Sequence, residues 1–72
     1  MNDEQLDMAL ERATDRLDAR CMRDPEMDQA RYDALSAHLS RWYEEQCGRP
    51  AVVRQSYTDW TERNPKPEAE SA

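Results

Sequence analysis

The sequence has one glycine, one lysine, one histidine and no phenylalanine. A single glycine cannot form the glycine-rich loop that cradles phosphate groups in nucleotide-binding proteins. The one histidine, His38, and two cysteines without CxxC spacing provide no zinc-ligand set. No stretch of about 18 apolar residues is present, which excludes a transmembrane helix. These absences predict a non-enzymatic chain without cofactor, metal or membrane span.

Acidic residues outnumber basic ones by sixteen to ten, which gives a net charge of −6. A negative chain repels nucleic acid at long range, and this disfavours direct nucleic-acid binding. The first residues, MNDEQLDMAL, are acidic where a secretory signal peptide would be basic, and they contain no apolar segment. We therefore expect a cytoplasmic protein in which Cys21 and Cys47 are reduced.

The chain has 72 residues, of which 38% are hydrophobic, so it can bury only a thin core. Chains of this length often rely on a disulfide, a metal or a second subunit. We expect one small helical domain over residues 1–63, stabilised by a partner or by a second copy in a homodimer. Residues 64–72, NPKPEAESA, contain two prolines and no large apolar residue, and they are predicted to form a disordered tail.

The first helix is predicted over residues 2–22. Asn2 can cap its N-terminus, and Gln5 follows three positions later, where the reciprocal partner of a capping box belongs. Apolar residues recur at spacings of four, three and four, which places them on one helical face. They are Leu6, Leu10, Ala13 and Leu17.

The second helix is predicted from Pro25 to Cys47. Asp24 is a suitable N-cap and Pro25 a suitable first helical residue. Gly48 is placed to end the helix in a left-handed conformation, and Pro50 prevents its continuation. Its apolar stripe has the same three- and four-residue spacing and consists of Tyr32, Leu35, Leu39 and Trp42.

A turn at Arg23-Asp24-Pro25 leaves only two or three residues between the helices, so they must be antiparallel neighbours. The expected fold is all-α, an antiparallel helical hairpin in which Leu17 lies near Tyr32 or Met27 and Leu6 near Trp42. Residues 50–64 fit a short third helix with Val53, Tyr57 and Trp60 on one face. Their composition also suits a strand, but a lone strand would have no partner in this chain.

Arginines recur every four residues along the first helix, as Arg12, Arg16 and Arg20, and Arg23 extends the row. A parallel acidic row consists of Asp7, Glu11, Asp15 and Asp18. Like-charged neighbours four residues apart destabilise an isolated helix slightly. Three interpretations are open: a second subunit whose acidic row meets the arginines, an acidic or phosphate-bearing partner, or a solvated flank with Arg12–Asp15 pairs.

For so polar a chain, large aromatic side chains are numerous in the second half of the sequence: Trp42, Tyr43, Tyr57 and Trp60. Tryptophan, tyrosine and arginine dominate binding energy at protein interfaces. Trp42 and Tyr43 are adjacent and point about 100° apart on a helix, so they cannot both face the same neighbour. Together with the arginines of the row, these aromatics form the predicted partner-binding set, although burial between helices is an equal alternative.

Cys21 and Cys47 cannot form an intramolecular disulfide in the hairpin, because the second helix separates them by roughly 35–40 Å. Both are expected to be small buried side chains, with an intermolecular disulfide at Cys47 as the alternative. His38 has no nucleophile within reach on its own helix, since Ser36 and Ser40 are two positions away. It is predicted to be a structural histidine.

These features predict a protein-interaction module that binds a larger protein partner or itself, as a small regulator or inhibitor of a larger complex. The small size of the chain is common among proteins of phages and other mobile elements, but no residue indicates such an origin. Two alternatives belong to other classes. One is a nucleic-acid-associated regulator that uses Arg12, Arg16 and Arg20; the other is a structural subunit of an assembly.

Overall fold

Two long helices, α1 (Asp3–Arg23) and α2 (Gln29–Cys47), pack against each other along their length. A 3-10 turn (Ala51–Val53) and a short helix, α3 (Tyr57–Thr61), follow, and α3 packs on α2. The computed structural model describes residues 1–67, and this part of the chain contains no strand. The predicted all-α hairpin with a short third helix is confirmed.

The start of α1 is held by the predicted capping box. The Gln5 amide donates to Asn2 Oδ1 at 2.8 Å, and the Asn2 amide donates to Gln5 Oε1 at 2.9 Å. At the other end, the extended backbone of Asp24 ends the helix, because the following proline disfavours helical dihedrals at that position. Local sequence therefore determines both ends of α1.

The start of α2 differs from the prediction. Asp28, not Asp24, is the N-cap, and its carboxylate accepts from the Arg31 amide at 2.7 Å. Asp24 instead accepts from the amide of Glu26, two residues on, at 2.9 Å, and so stabilises the turn that contains Pro25. The helix consequently begins at Gln29, and the connection is longer than predicted.

The prediction of a left-handed Gly48 is also wrong. Its backbone lies in the right-handed region, with φ −80° and ψ −5°. The Gly48 amide bonds to the Glu44 carbonyl at 3.3 Å, and the Arg49 amide bonds to the Gln46 carbonyl at 3.1 Å. The last turn thus tightens towards 3-10 geometry and ends before Pro50 without needing positive φ.

The core consists of two clusters along the seam between the helices. At one end Leu6 and Trp42 pack with Trp60 of α3. At the other end Leu17 packs with Leu35 and Leu39, flanked by Met27 and Tyr32. The partly buried Leu10 and Tyr57 contact both clusters. The predicted pairing of the two apolar stripes in reverse order is therefore confirmed.

Residues 50–64 do not form one continuous helix. Both backbone groups of Gln55 are bound to α2: its amide donates to Gln46 Oε1 at 2.8 Å, and its carbonyl accepts from Trp42 Nε1 at 3.0 Å. These bonds hold the chain extended, and α3 restarts with Ser56 as its cap. Val53 is 52% exposed and does not share the buried face of Trp60.

None of the helices within residues 1–67 combines the length and the apolar character needed to cross a membrane. The predicted tail lies outside the described residues from position 68 onward. At its beginning, the Asn64 carbonyl accepts from His38 Nε2 at 2.7 Å. Lys66 Nζ lies 5.7 Å from the centre of the Tyr57 ring. The chain as far as Lys66 therefore contacts the helical domain.

Candidate functional site

A groove with a volume of about 290 Å³ runs along one flank of α1, between this helix and the start of α3. Its floor is apolar and includes parts of the seam between α1 and α2. The floor residues are Ala9, Ala13, Leu17, Leu35 and Leu39. We call this hollow, with the charged walls described next, the basic groove.

The walls of the basic groove carry positive charge. Arg12, Arg16 and Arg20 line it along α1, and Lys66 lines it from the C-terminal side together with Tyr57. The predicted arginine row therefore faces a concave surface and not open solvent alone. Four cationic side chains converge there on a protein whose net charge is −6.

Two of these arginines have no partner in the described part of the chain. Arg12 and Arg16 are exposed, and neither makes an ion pair or a side-chain hydrogen bond with any of residues 1–67. The Arg12–Asp15 pair, one of the three sequence interpretations, is not formed. The guanidinium groups of Arg12 and Arg16 are thus available to an anionic ligand.

A second, shallower hollow continues the groove towards the N-terminus of α1. It is lined by Met1, Gln5 and Met8, and it shares Ala9 and Arg12 with the basic groove. From Gln5 to Arg20 the combined hollow follows α1 for about 22 Å at 1.5 Å per residue. The molecule is 38 Å long, so the hollow occupies more than half of that length.

Two residues of the acidic row on α1 form hydrogen bonds to α2. Asp18 Oδ1 accepts a hydrogen bond from the Tyr32 hydroxyl at 2.5 Å, and Asp7 accepts one from the Tyr43 hydroxyl. Both bonds join α1 to α2 on the flank away from the groove. Asp7 and Asp18 are eleven residues apart, and so are Tyr32 and Tyr43. Because the helices are antiparallel, this equal spacing sets one register for both pairs.

These bonds affect the ionisation of the tyrosines. The hydrogen bond to Asp18 is the main cause of a raised pKa at Tyr32. The pKa of Tyr43 is raised first by the bond to Asp7 and then by a bond to Cys47. A carboxylate accepts from a neutral phenol but repels a phenolate, so both tyrosines remain protonated at neutral pH.

Tyr57 lies where α2, α3 and the groove meet. Its hydroxyl is 2.8 Å from His38 Nδ1, and its ring packs edge-on against Trp42 at 5.5 Å between centroids. His38 is only 6% exposed. A carbonyl can only accept, so His38 Nε2 donates to Asn64, and in the neutral ring Tyr57 donates to Nδ1. This network positions Tyr57 as a wall of the groove.

Two of the predicted contact residues are buried. Trp42 is 0% exposed and Trp60 is 3% exposed, and Trp60 Nε1 donates to Glu45 Oε2 at 2.6 Å. Their indoles fill the core between the three helices, so neither presents a side-chain surface to a partner in this conformation. Tyr43 lies on the flank opposite the groove. Of the predicted set, the structure brings together Arg12, Arg16, Arg20 and Tyr57.

Arg54 is the residue that sequence reasoning missed. Its side chain is 8% exposed and lies where the N-terminus of the chain meets the end of α2. Nε donates to the carbonyls of Gln46 at 2.8 Å and Arg49 at 3.2 Å, and Nη1 contacts the Met1 carbonyl at 3.1 Å and Asp3 at 2.8 Å. One feature of the sequence could have identified Arg54: it is the only charged residue between Pro50 and Thr58.

The cysteines are free thiols at different depths. Cys21 is partly buried, but Cys47 is exposed, which corrects the expectation that both are buried. Cys47 follows Gln46 at the end of α2, and its position on the helix turns it away from the core. Among residues 1–67 no three histidine, cysteine or acidic side chains are grouped as metal ligands would be.

Comparison of the chain with protein families, with curated proteins and with solved structures gives no significant match in any of the three.

Proposed function

We propose that this chain is a non-enzymatic protein-interaction module that binds a larger protein through the basic groove and so regulates or inhibits the complex to which that protein belongs. One observation carries the proposal. An arginine row lines an apolar groove on a protein that is otherwise acidic, and two of its members, Arg12 and Arg16, have no carboxylate partner within residues 1–67.

The separation of charge along α1 supports a partner of opposite sign. Like-charged neighbours at four-residue spacing cost an isolated helix about 0.2–0.5 kcal/mol per pair. Arg12, Arg16 and Arg20 form two such pairs, and interspersed charges would avoid this cost. Contact with anionic groups would remove the repulsion and add charge-assisted hydrogen bonds.

The apolar floor supports a protein partner over a simple anion. Burial of apolar area supplies most of the driving force in protein association, whereas charge complementarity contributes mainly to specificity and association rate. The apolar floor, which includes Leu17, and the cationic walls together fit a partner surface that is both apolar and acidic.

A non-enzymatic role is supported by the burial of His38 and by the hydrogen bonds of its ring. Both ring nitrogens are engaged, one with Tyr57 and one with the Asn64 carbonyl, and the ring is buried. A general base must reach the proton that it abstracts. His38 instead acts in the packing of α3 and the groove wall.

The test is an affinity capture that uses the full chain and two double variants. Arg12→Glu/Arg16→Glu reverses the groove charge, and Arg41→Glu/Arg63→Glu makes the same change at two exposed arginines outside the groove. We expect a host protein retained by the wild type and by the control variant, and lost with the groove variant. Equal retention by all three chains, or by none, would refute the proposal.

Arg12 and Arg16, which are unpaired within residues 1–67, also favour one alternative from another class, a nucleic-acid-associated regulator. Phosphate contacts would make affinity for a duplex or a single strand fall steeply with salt concentration. Absence of binding at low salt would exclude this alternative. Light scattering on the purified chain tests the homodimer and the structural subunit, because both require self-association or assembly.

A further inference from the structure

We propose that the ligand of the basic groove is an acidic amphipathic α-helix of the partner protein, about four turns long, which lies alongside α1. This inference rests on the proposed function and specifies the chemistry of the partner. It requires that the groove have the length, charge spacing and surface relief that a helix would match.

Length is the first support. The basic groove and the hollow that shares Ala9 and Arg12 with it follow α1 from Gln5 to Arg20. A helix of about 15 residues covers the same distance. The volume of about 290 Å³ lies at the lower limit for an enclosed small-molecule pocket, so the hollow is better suited to side chains of an elongated partner.

Charge spacing is the second support. Successive arginines of the row are four residues apart, which places them about 6 Å from each other along the axis of α1. Glutamates at four-residue intervals on a second helix repeat every 6 Å as well. Arg12 and Arg16 have no competing carboxylate within residues 1–67, so a matching acidic row can pair with both.

The relief of the groove is the third support. Small side chains in the floor, Ala9 and Ala13, allow another helix to approach α1 closely. At the N-terminal end Met8 is 47% exposed, and methionine adapts to irregular apolar partners. These features place apolar contacts beside the row of charges, as an amphipathic helix needs.

The fold itself leaves room for such a helix. α3 has only five residues and packs on α2, whereas α1 and α2 have 21 and 19 residues. Within residues 1–67, the flank of α1 beside α3 therefore has no long helix packed on it. A partner helix in the groove would complete a bundle of three long helices.

A designed peptide tests this chemistry directly. The probe is an acetylated, amidated and fluorescein-labelled helix of about 18 residues, with leucines on one face and glutamates every four residues beside them. Its control has the same composition with the glutamates distributed around the helix. Both are titrated with the full chain and followed by fluorescence anisotropy.

We expect the probe to bind about tenfold more tightly than the permuted control, because only the probe aligns its charges with the arginines. Arg12→Gln/Arg16→Gln should weaken probe binding by about tenfold, and Arg41→Gln/Arg63→Gln should change it less than about twofold. Glutamine is a good helix former, so circular dichroism should show both variants folded.

Equal affinity for the two peptides, or a probe affinity unaffected by Arg12→Gln/Arg16→Gln, would overturn the inference. Preference for an oligonucleotide over the probe would favour the nucleic-acid alternative. A dimer that Arg12→Gln/Arg16→Gln dissociates would identify a second copy as the ligand.

The two proposals can fail separately. Loss of a captured protein with the groove variant, combined with no binding of the probe, would leave the interaction module in place and reject the acidic helix. Failure of both experiments would reject both.

Discussion

Replacing Arg54 with methionine should destabilise the protein strongly. The guanidinium group joins the Met1 carbonyl, at the start of the chain, to the Gln46 carbonyl at the end of α2. Methionine keeps an unbranched side chain of comparable length in the same space, but it leaves the Met1 carbonyl without its guanidinium donor and the Gln46 carbonyl with the Arg49 amide alone. The change therefore removes the hydrogen bonds with little loss of packing.

The size of the effect follows from the burial of Arg54. A hydrogen bond to a charged group contributes about 1.5–3 kcal/mol when it is well buried. Asp3 is 89% exposed, so its ion pair with Arg54 adds less than about 1 kcal/mol. Because the bonds share one side chain and are not additive, we expect a loss of about 3 kcal/mol. For a domain of this size that lowers Tm by about 12–24 °C.

Thermal and urea unfolding followed by circular dichroism measure this loss. Arg49→Met is the matched control, because Arg49 pairs with Glu45 at 2.6 Å while the two side chains remain 39% and 41% exposed. Such a pair contributes about 0.5 kcal/mol or less. If the two variants melt within about 3 °C of each other, the stabilising role proposed for the Arg54 hydrogen bonds is refuted.

Three further predictions concern the seam and its outer flank. Leu39→Asp places a charge at a position that is 5% exposed and should abolish the helical circular dichroism signal; an unchanged Tm would contradict the packing. Trp42→Ala removes a fully buried indole and should cost about 3–5 kcal/mol, whereas Tyr43→Phe should leave the protein folded; equal losses in urea unfolding would be inconsistent with the observed burial. In a spectrophotometric titration Tyr43 should ionise above its ordinary pKa of 10.0, and Asp7→Asn should lower that pKa. Since the pKa is higher in the folded state, the stabilisation is complete below about pH 10 and is lost as pH rises through the folded pKa; an unchanged Tyr43 pKa in Asp7→Asn would argue against the bond.

The elements that the local sequence predicted well are those for which only one nearby residue or pattern could give the capping or packing signal. Asn2 and Gln5 form the one capping box at the start of the chain, and apolar residues of α1 recur on a single face. The hairpin follows from the short connection after Met22. The fold class and the pairing of Leu6 with Trp42 therefore follow from the sequence alone.

The start of α2 was predicted wrongly because two aspartates compete within five residues. Asp24 and Asp28 are equally good caps by residue type, and Pro25 favours the first. The folded chain uses Asp24 for the turn and Asp28 for the cap. The choice depends on where the second helix must begin in order to pack on the first.

The candidate site was accessible only in part. The spacing of Arg12, Arg16 and Arg20 is visible in the sequence, but the groove exists only because α3 and Lys66 form its other wall. Trp42 and Trp60 were predicted as contact residues, and interfaces and cores favour the same aromatic types. Whether such a side chain lies in the core or at an interface depends on its burial by a distant segment, and no local sequence pattern indicates this.

The equal spacing of the two tyrosine–aspartate bonds makes the hairpin sensitive to a change in length. Inserting one residue between Asp7 and Asp18 would rotate the second carboxylate by about 100° and turn it away from Tyr32. Inserting eleven residues into each helix would add three whole turns and restore both bonds. A hairpin of this type can thus lengthen only by insertions that have the same length in both helices and that add whole turns.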